Sequence, residues 1–431
     1  VTHAKLLAFL KGQAHSARMA STGVHAAVES WTGSWDEPQI EAWAGDLRRR
    51  LTAGPPSLGL LFLHPHWIDH APDLLDLLRI HAHLPVLIGC SSTGLIAGDR
   101  ELENTPGFVL AVFHLPGARL KAVHIPAEDL SQGHGAESLR KATGQLGPDP
   151  SWLVFADPFH LRGDQWLPAW QDALPGALFL GGLAGSLPAQ QRTAVFLDGR
   201  CHLQGAVVLA VGGDVCLEPV LSQGCTPVGD VWTVTRSERN LLMRLGNRPA
   251  FEVLAETLRA LPAEQRSRAQ GNLMVGLAAS EYADELRRGD FLIRNLLFAD
   301  ARSGVVAVGA LPRAGQTVQF HLRDAAGATA DLDLQLREAA ERLQYRPVYG
   351  GCLTVCLGRG RGLFGRDHHD AVSVQQALGP LPVVGFSAHG EIGPVGGRSH
   401  LHGYTASLAL FTAREVAWPE LDQPLMDADR H

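Results

Sequence analysis

The sequence predicts an α/β protein made of two pseudo-repeated halves, with mixed and antiparallel sheets covered by helices. The first observation behind this is a pair of matching segments. Pro382-Val383-Val384-Gly385-Phe386-Ser387-Ala388-His389-Gly390-Glu391-Ile392 has an earlier echo in Pro85-Val86-Leu87-Ile88-Gly89-Cys90-Ser91-Ser92-Thr93-Gly94-Leu95-Ile96. Each reads as an apolar strand after a proline, then a Gly-x-Ser-x-x-Gly-x-Ile turn, then a second apolar strand, Phe108 to Phe113 and Thr405 to Phe411. The second observation is a recurring order of strand, helix, strand and glycine turn. The third is that strands run directly into hairpins, which favours mixed or antiparallel sheets over a fully parallel one.

Taken in order, Gln39 to Leu51 has helical periodicity, Leu58 to Leu63 is a strand ending at His64-Pro65-His66, Leu74 to His83 is a helix, and Val86 to Ile88 is a strand. The order recurs with a strand at Trp152 to Phe155, a helix at Gln165 to Ala173 and a strand at Ala177 to Leu180. Next comes a hairpin whose Asp198-Gly199 turn joins Thr193–Leu197 to Gly205–Val211. A third instance runs from the strand Cys352 to Leu357 through a helix at Ala371 to Leu378 and into the Gly385 turn. A poorer fourth covers Asn272 to Leu277, Asp290 to Leu297 and Val305 to Val308. The first half closes near Thr235. A helix opens the second half, where Arg248-Pro249-Ala250 puts proline in a first turn.

At 431 residues, with 45% hydrophobic and 19% charged, the chain suits two or three globular domains and not disorder. A formal charge of -7 gives no electrostatic reason for a nucleic-acid or anionic-membrane partner, and no apolar stretch is long enough to span a bilayer. The six cysteines include no Cys-x-x-Cys pair and read as reduced thiols of a cytoplasmic protein. Phosphate-loop and Gly-x-Ser-x-Gly signatures are absent, which argues against nucleoside triphosphate and α/β-hydrolase chemistry.

The glycine turns are the candidate ligand sites, because glycine lets backbone amides approach a small molecule. Ser91, Ser92 and Ser387 offer hydroxyls there, and His389 and Glu391 crowd the second turn. In Cys356-Leu357-Gly358-Arg359-Gly360, an arginine flanked by glycines at a strand end offers a planar fork to an acidic group. Against this stands a flexible exposed loop, and Cys356 reads equally as a buried thiol. The 20 histidines lack zinc-motif spacing. A haem needs only one imidazole, and His64, His66, His389 and His402 are the candidate axial ligands.

Several runs together resemble the FIST family, a sensory module of intracellular signal transduction. Ser222-Gln223-Gly224-Cys225-Thr226-Pro227-Val228-Gly229 with Thr233-Val234-Thr235 resembles the close of its N-terminal domain. Its C-terminal domain is resembled by Gly289-Asp290-Phe291-Leu292-Ile293-Arg294-Asn295-Leu296-Leu297, Gly358-Arg359-Gly360, Gly385 to Pro394, and His402-Gly403-Tyr404-Thr405. The implied layout is a tail at 1–19, an N-terminal domain at 20–237, a C-terminal domain at 238–414 and a tail at 415–431.

The resemblance implies a stand-alone sensor, with no F-box, kinase or cyclase attached, that binds an amino acid or related metabolite and passes its state to a signalling protein partner. The expected ligand residues are Arg359, Cys356, Ser387, His389, Glu391, Ser91, Ser92 and Arg294, with no catalytic residue and no metal. The alternatives are a haem protein that senses nitric oxide and acts on a histidine kinase, and an enzyme using Cys356, His389 and Glu391.

Overall fold

The computed structural model describes residues 23–415, apart from 133–134, 145, 147–148, 162–164, 189 and 281–285. The expected tails at 1–19 and 415–431 lie outside the described residues, Glu415 excepted.

The fold is mixed α/β, as the pattern predicts, and its halves carry the glycine turns in equivalent places. The repeated unit is smaller than a half, and three copies are described. Each runs strand, helix, strand, helix, strand, hairpin, strand. In the first copy these are Ala26–Trp31, Glu37–Arg49, Leu58–Leu63, Ala71–His81, Leu87–Ser91, the hairpin Gly94–Ala97 with Arg100–Glu103, and Phe108–Phe113. The second copy begins at Ala118–Ile125 and ends at Ala206–Gly213; the third begins at Val215–Gln223 and ends at Thr405–Ala413. The relation among the copies is therefore three-way, not the two-fold that two halves alone would give.

Within each copy the two central strands are parallel, because a helix crosses between them: Leu58–Leu63 with Leu87–Ser91, Ser151–Ala156 with Phe179–Leu183, and Val348–Cys356 with Val383–Ala388. The outer strands pair antiparallel. Each sheet is completed by a borrowed hairpin. The first copy's hairpin pairs with Val383–Ala388 of the third, the second's pairs with Leu87–Ser91 of the first, and the third's pairs with Phe179–Leu183 of the second. This cyclic exchange locks the three sheets together. At its centre the rings of Phe62, Phe155 and Phe386, one from each copy, lie with centroids 4.7, 5.2 and 5.6 Å apart.

A glycine recurs at one register in all three parallel pairs. Gly89 lies opposite Leu61, Gly181 opposite Val154, and Gly385 opposite Leu353. A Cβ at any of them would overlap the facing carbonyl oxygen. Close backbone approach, more than turn geometry, is what requires glycine here.

The third copy is interrupted. Between Val215–Gln223 and the helix Ala325–Arg342 the chain builds a seven-stranded sheet that closes on itself, since Cys225–Glu238 pairs with both Thr317–Arg323 and Leu241–Leu245, and the helices Ala250–Ala260 and Ala263–Ala269 pack on one face. Pro249 stands at the start of the first of these helices, as expected. The poorer fourth repeat belongs to this inserted sheet. Its strands Leu273–Ala278, Phe291–Asp300 and Val305–Val308 are antiparallel neighbours and not a further copy. Thr235, near which the first half is expected to close, lies inside the strand Cys225–Glu238.

Two local readings are also revised. Asp198-Gly199 turns Val195–Leu197 back onto the short strand Arg200–His202, whereas Ala206–Gly213 pairs elsewhere. Glu391 and Ile392 lie in the strand Glu391–Val395 and not in a ligand-cradling turn.

Candidate functional site

The three-way relation shows where the third copy departs from the other two. His64 and Asp157, which directly follow the first two central strands, are equivalent to Cys356, the last residue of the third. The hairpin residue that pairs one place beyond each close-approach glycine is Val195, Leu95 or Glu391. Two copies thus place an apolar side chain where the third buries a carboxylate. The residue that opens the last strand of the third copy, Thr405, corresponds to Gly107 and Gly205 of the others. It supplies that carboxylate with partners: the Thr405 N–H and Oγ1 donate to one Glu391 oxygen at 3.1 and 2.8 Å.

Arg359 lies beside this cluster. The glycines around it bring it inward, where its Nε and Nη2 donate to Asp370 at 2.6 and 2.8 Å with both side chains fully buried. His369 Nδ1 lies 2.8 Å from the same carboxylate. Burial would raise the Asp370 pKa, but the Arg359 charge and hydrogen bonds overcome this and bring it down to about 2. The fork expected to grip a ligand's acidic group is therefore already engaged within the protein. Arg359 Nη1 and the second oxygen of Glu391 are buried without a hydrogen-bond partner among the described residues.

Burial, eased by the Thr405 hydrogen bonds and the Arg359 charge, pushes Glu391 up to about 8. Burial and the neighbouring Glu391 push the Cys356 thiol up to about 11. A thiol held in its protonated form is a poor nucleophile. No described hydrogen bond joins it to His389, whose ring packs edge-on against Phe159.

These carboxyl groups set a pH dependence. A folded-state pKa above the unfolded value favours the protonated form, so the associated stability is present below about 4.5 and is lost as pH rises through about 8. Glu101, raised by burial to about 7, acts in the same direction. Glu391→Gln removes one of the two titrations. Relative to the unsubstituted protein, the variant is expected to gain on the order of 2 kcal/mol between pH 5 and pH 9 in urea denaturation.

The remaining expected residues are spread over several places. Ser387 and Arg359 line a small polar cavity of about 80 Å³ together with Thr93, Glu101 and Glu103. Ser91 and Ser92 are buried and structural, their hydroxyls donating to the Gly185 carbonyl at 3.0 Å and the Ser387 carbonyl at 2.5 Å. His64 is buried, and desolvation and His66 hold its pKa down at about 4, while His66 is exposed. His402 is buried with its Nε2 3.0 Å from the Gly393 carbonyl oxygen. Its pKa is lowered to about 3, chiefly by burial.

Arg294 and His402 meet in a larger space. A crevice of about 470 Å³ opens between the second copy, the hairpin of the third and the inserted sheet. Pro158, Leu161, Trp166 and Leu183 form one wall; Ile293, Arg294 and Asn295 form another, with His402, Gly403 and Tyr404 between.

Sequence reasoning left Tyr404 out of the site. Its φ is +68°, a left-handed conformation that bulky side chains seldom adopt. Its hydroxyl donates to Asn295 Oδ1, Arg323 stacks over its ring, and its carbonyl accepts from the Gly224 N–H at 3.0 Å, where the chain enters the inserted sheet. Its backbone also hydrogen-bonds the Cys356 thiol. One strained residue thus touches the crevice, the buried Cys356–Glu391 cluster and the inserted sheet. The signal in the sequence was its place in the His402-Gly403-Tyr404-Thr405 run.

Comparison with known proteins agrees with this architecture. The FIST N domain matches residues 57–248, and the FIST C domain matches residues 250–394. The uncharacterized protein Rv0628c of Mycobacterium tuberculosis is 35% identical over 368 residues, 85% of this chain and 94% of the relative. The uncharacterized protein Mb0898c of Mycobacterium bovis is 34% identical over 372 residues, 86% and 94% respectively. No described helix is long and apolar enough to cross a membrane. With both domains matched in order and relatives aligned along most of its length, the chain belongs to the FIST family, whose domains are associated with sensing in signal transduction.

Proposed function

We propose that this protein is a cytoplasmic sensor that binds an amino acid or related metabolite in the crevice between the three-copy core and the inserted sheet, and passes the bound state to a signalling protein. The observation that carries the reading is the crevice itself. It is walled by separate parts of the fold and floored by a strained tyrosine that also contacts the chain's entry into the inserted sheet. A ligand that contacts both walls would favour one placement of the inserted sheet over another, which is how binding becomes a signal. The Asn295 amide, the Tyr404 hydroxyl and the Arg294 guanidinium supply polar recognition, and Trp166, Leu161 and Ile293 supply apolar surface. No catalytic step is assigned, because the thiol and carboxyl of the buried cluster are held protonated.

Gly403 provides the test. A Cβ there meets nothing within 4 Å, so Gly403→Trp fills the crevice without disturbing the core. With the twenty proteinogenic amino acids applied singly, at least one is expected to raise the melting temperature of the unsubstituted chain and none that of Gly403→Trp. Equal shifts in both proteins would contradict the reading.

Haem is the second reading, supported by His402 on a crevice that Leu161, Trp166 and Ile293 also line. The iron would have to displace the bond from Nε2 to Gly393. Haemin titration tests it: a sharp Soret band lost in His402→Phe supports it, and the same band in both proteins removes His402 as the axial ligand.

A further inference from the structure

Beside the crevice lies a groove of about 730 Å³ between the helices Ala250–Ala260 and Ala263–Ala269 and the strand Phe291–Asp300. Leu254, Leu258, Leu273, Met274, Leu296 and Leu297 line it. Leu297 is 56% exposed and the adjacent Phe298 53% exposed. Apolar surface of this kind, left open on a sheet that helices otherwise cover, marks a binding surface. The groove and the crevice share two residues, Asn295 and Tyr404, and those two are hydrogen-bonded to each other.

We propose that the crevice and the groove form one bipartite site for an amphipathic carboxylate, with its head group in the crevice and an aliphatic chain along the groove past the Tyr404–Asn295 pair. The inference rests on the crevice reading above and names the ligand class. Leucines and a methionine supply the larger apolar side chains of the groove, together with Phe251, and suit a flexible chain better than a flat ring system. The groove's own polar residues are Gln270 and Arg266, whose guanidinium donates to the Arg259 and Leu261 carbonyls, while Asn295, Tyr404 and Arg294 stand at the crevice end. None of the described residues lining the crevice is acidic, and the Arg294 charge contributes, after burial, to the lowered pKa of both His400 and His402. That field favours an anionic head. Tyr404 is the element that moves: release of its hydroxyl from Asn295 would connect the two spaces, and its backbone carries the change to Gly224.

The test is calorimetric titration of the full chain with hexanoate, octanoate, decanoate and octan-1-ol. Affinity is expected to rise about fourfold per added methylene, the increment for burying one such group, and octanoate is expected to bind more tightly than octan-1-ol. Leu297→Gln, at an exposed position, and Leu258→Gln should each flatten the dependence on chain length, and Gly403→Trp should abolish the preference for the carboxylate. A flat series, or a steep one unchanged by both leucine variants, overturns the proposal. So does a steep series with no preference for the acid over the alcohol. If an amino acid shifts the unsubstituted chain and not Gly403→Trp while the carboxylate series is flat, the crevice reading stands and the bipartite site falls. If neither an amino acid nor a carboxylate responds to Gly403→Trp, both fall.

Discussion

Arg359→Ala is expected to destabilise the fold by about 3–5 kcal/mol, the range for removing one partner of a fully buried ion pair. The loss comes from what remains. Asp370 would keep its buried place in the first turn of the helix His369–Leu378, with His369 as its remaining side-chain partner among the described residues. The control is a second variant in which both partners are replaced, Arg359→Met with Asp370→Leu. A buried pair roughly breaks even against well-packed apolar side chains, so the double variant is expected to recover most of the stability in chemical denaturation. If the double variant is no more stable than Arg359→Ala, the residue serves something other than the pair, and a ligand role for its unpartnered Nη1 gains weight.

Gly385→Ala is the second large effect. Its Cβ would overlap the Leu353 carbonyl oxygen, and a backbone oxygen held in a sheet ladder has little freedom to yield. The cost is expected to reach or exceed ~3 kcal/mol, the upper part of the range for overpacking. Gly89→Ala, against the Leu61 carbonyl, should behave alike, because the two positions are equivalent in the repeat. Gly403→Ala is the contrast, with open space around its Cβ and an expected change within about 0.5 kcal/mol. Similar melting temperatures for the first two variants and the unsubstituted chain would mean that the parallel strands approach less closely than described.

The glycines were legible in the sequence because close approach leaves a local mark: an apolar run interrupted by Gly-x-Ser. The helices and central strands were legible for the same reason, and Pro249 marked a helix start. The borrowed hairpins were not. Exchange between copies is a long-range pairing, and Gly94–Ala97 or Glu391–Val395 reads locally as the tail of a turn. The insertion was hidden in the same way, since its strands carry the same apolar signal as those of the core. Among the expected site residues, Arg359, Cys356 and Glu391 gather in one buried cluster. Their chemistry was misread. Asp370, eleven positions further on, is the partner that engages the arginine, and nothing between them in the sequence announces the contact. Tyr404 was passed over because a left-handed backbone leaves no sign in residue type when the residue is not glycine.

The central claim is that ligand binding bridges the core and the inserted sheet. Hydrogen exchange on the full chain tests it most directly, with and without the amino acid that gives the largest thermal shift. The account predicts slowed exchange on both walls of the crevice, in Phe291–Asp300 and in Arg398–His402. Slowed exchange confined to Gly94–Ala97 and Arg100–Glu103, beside the small polar cavity at Arg359 and Ser387, would contradict it and return the ligand to the glycine turns.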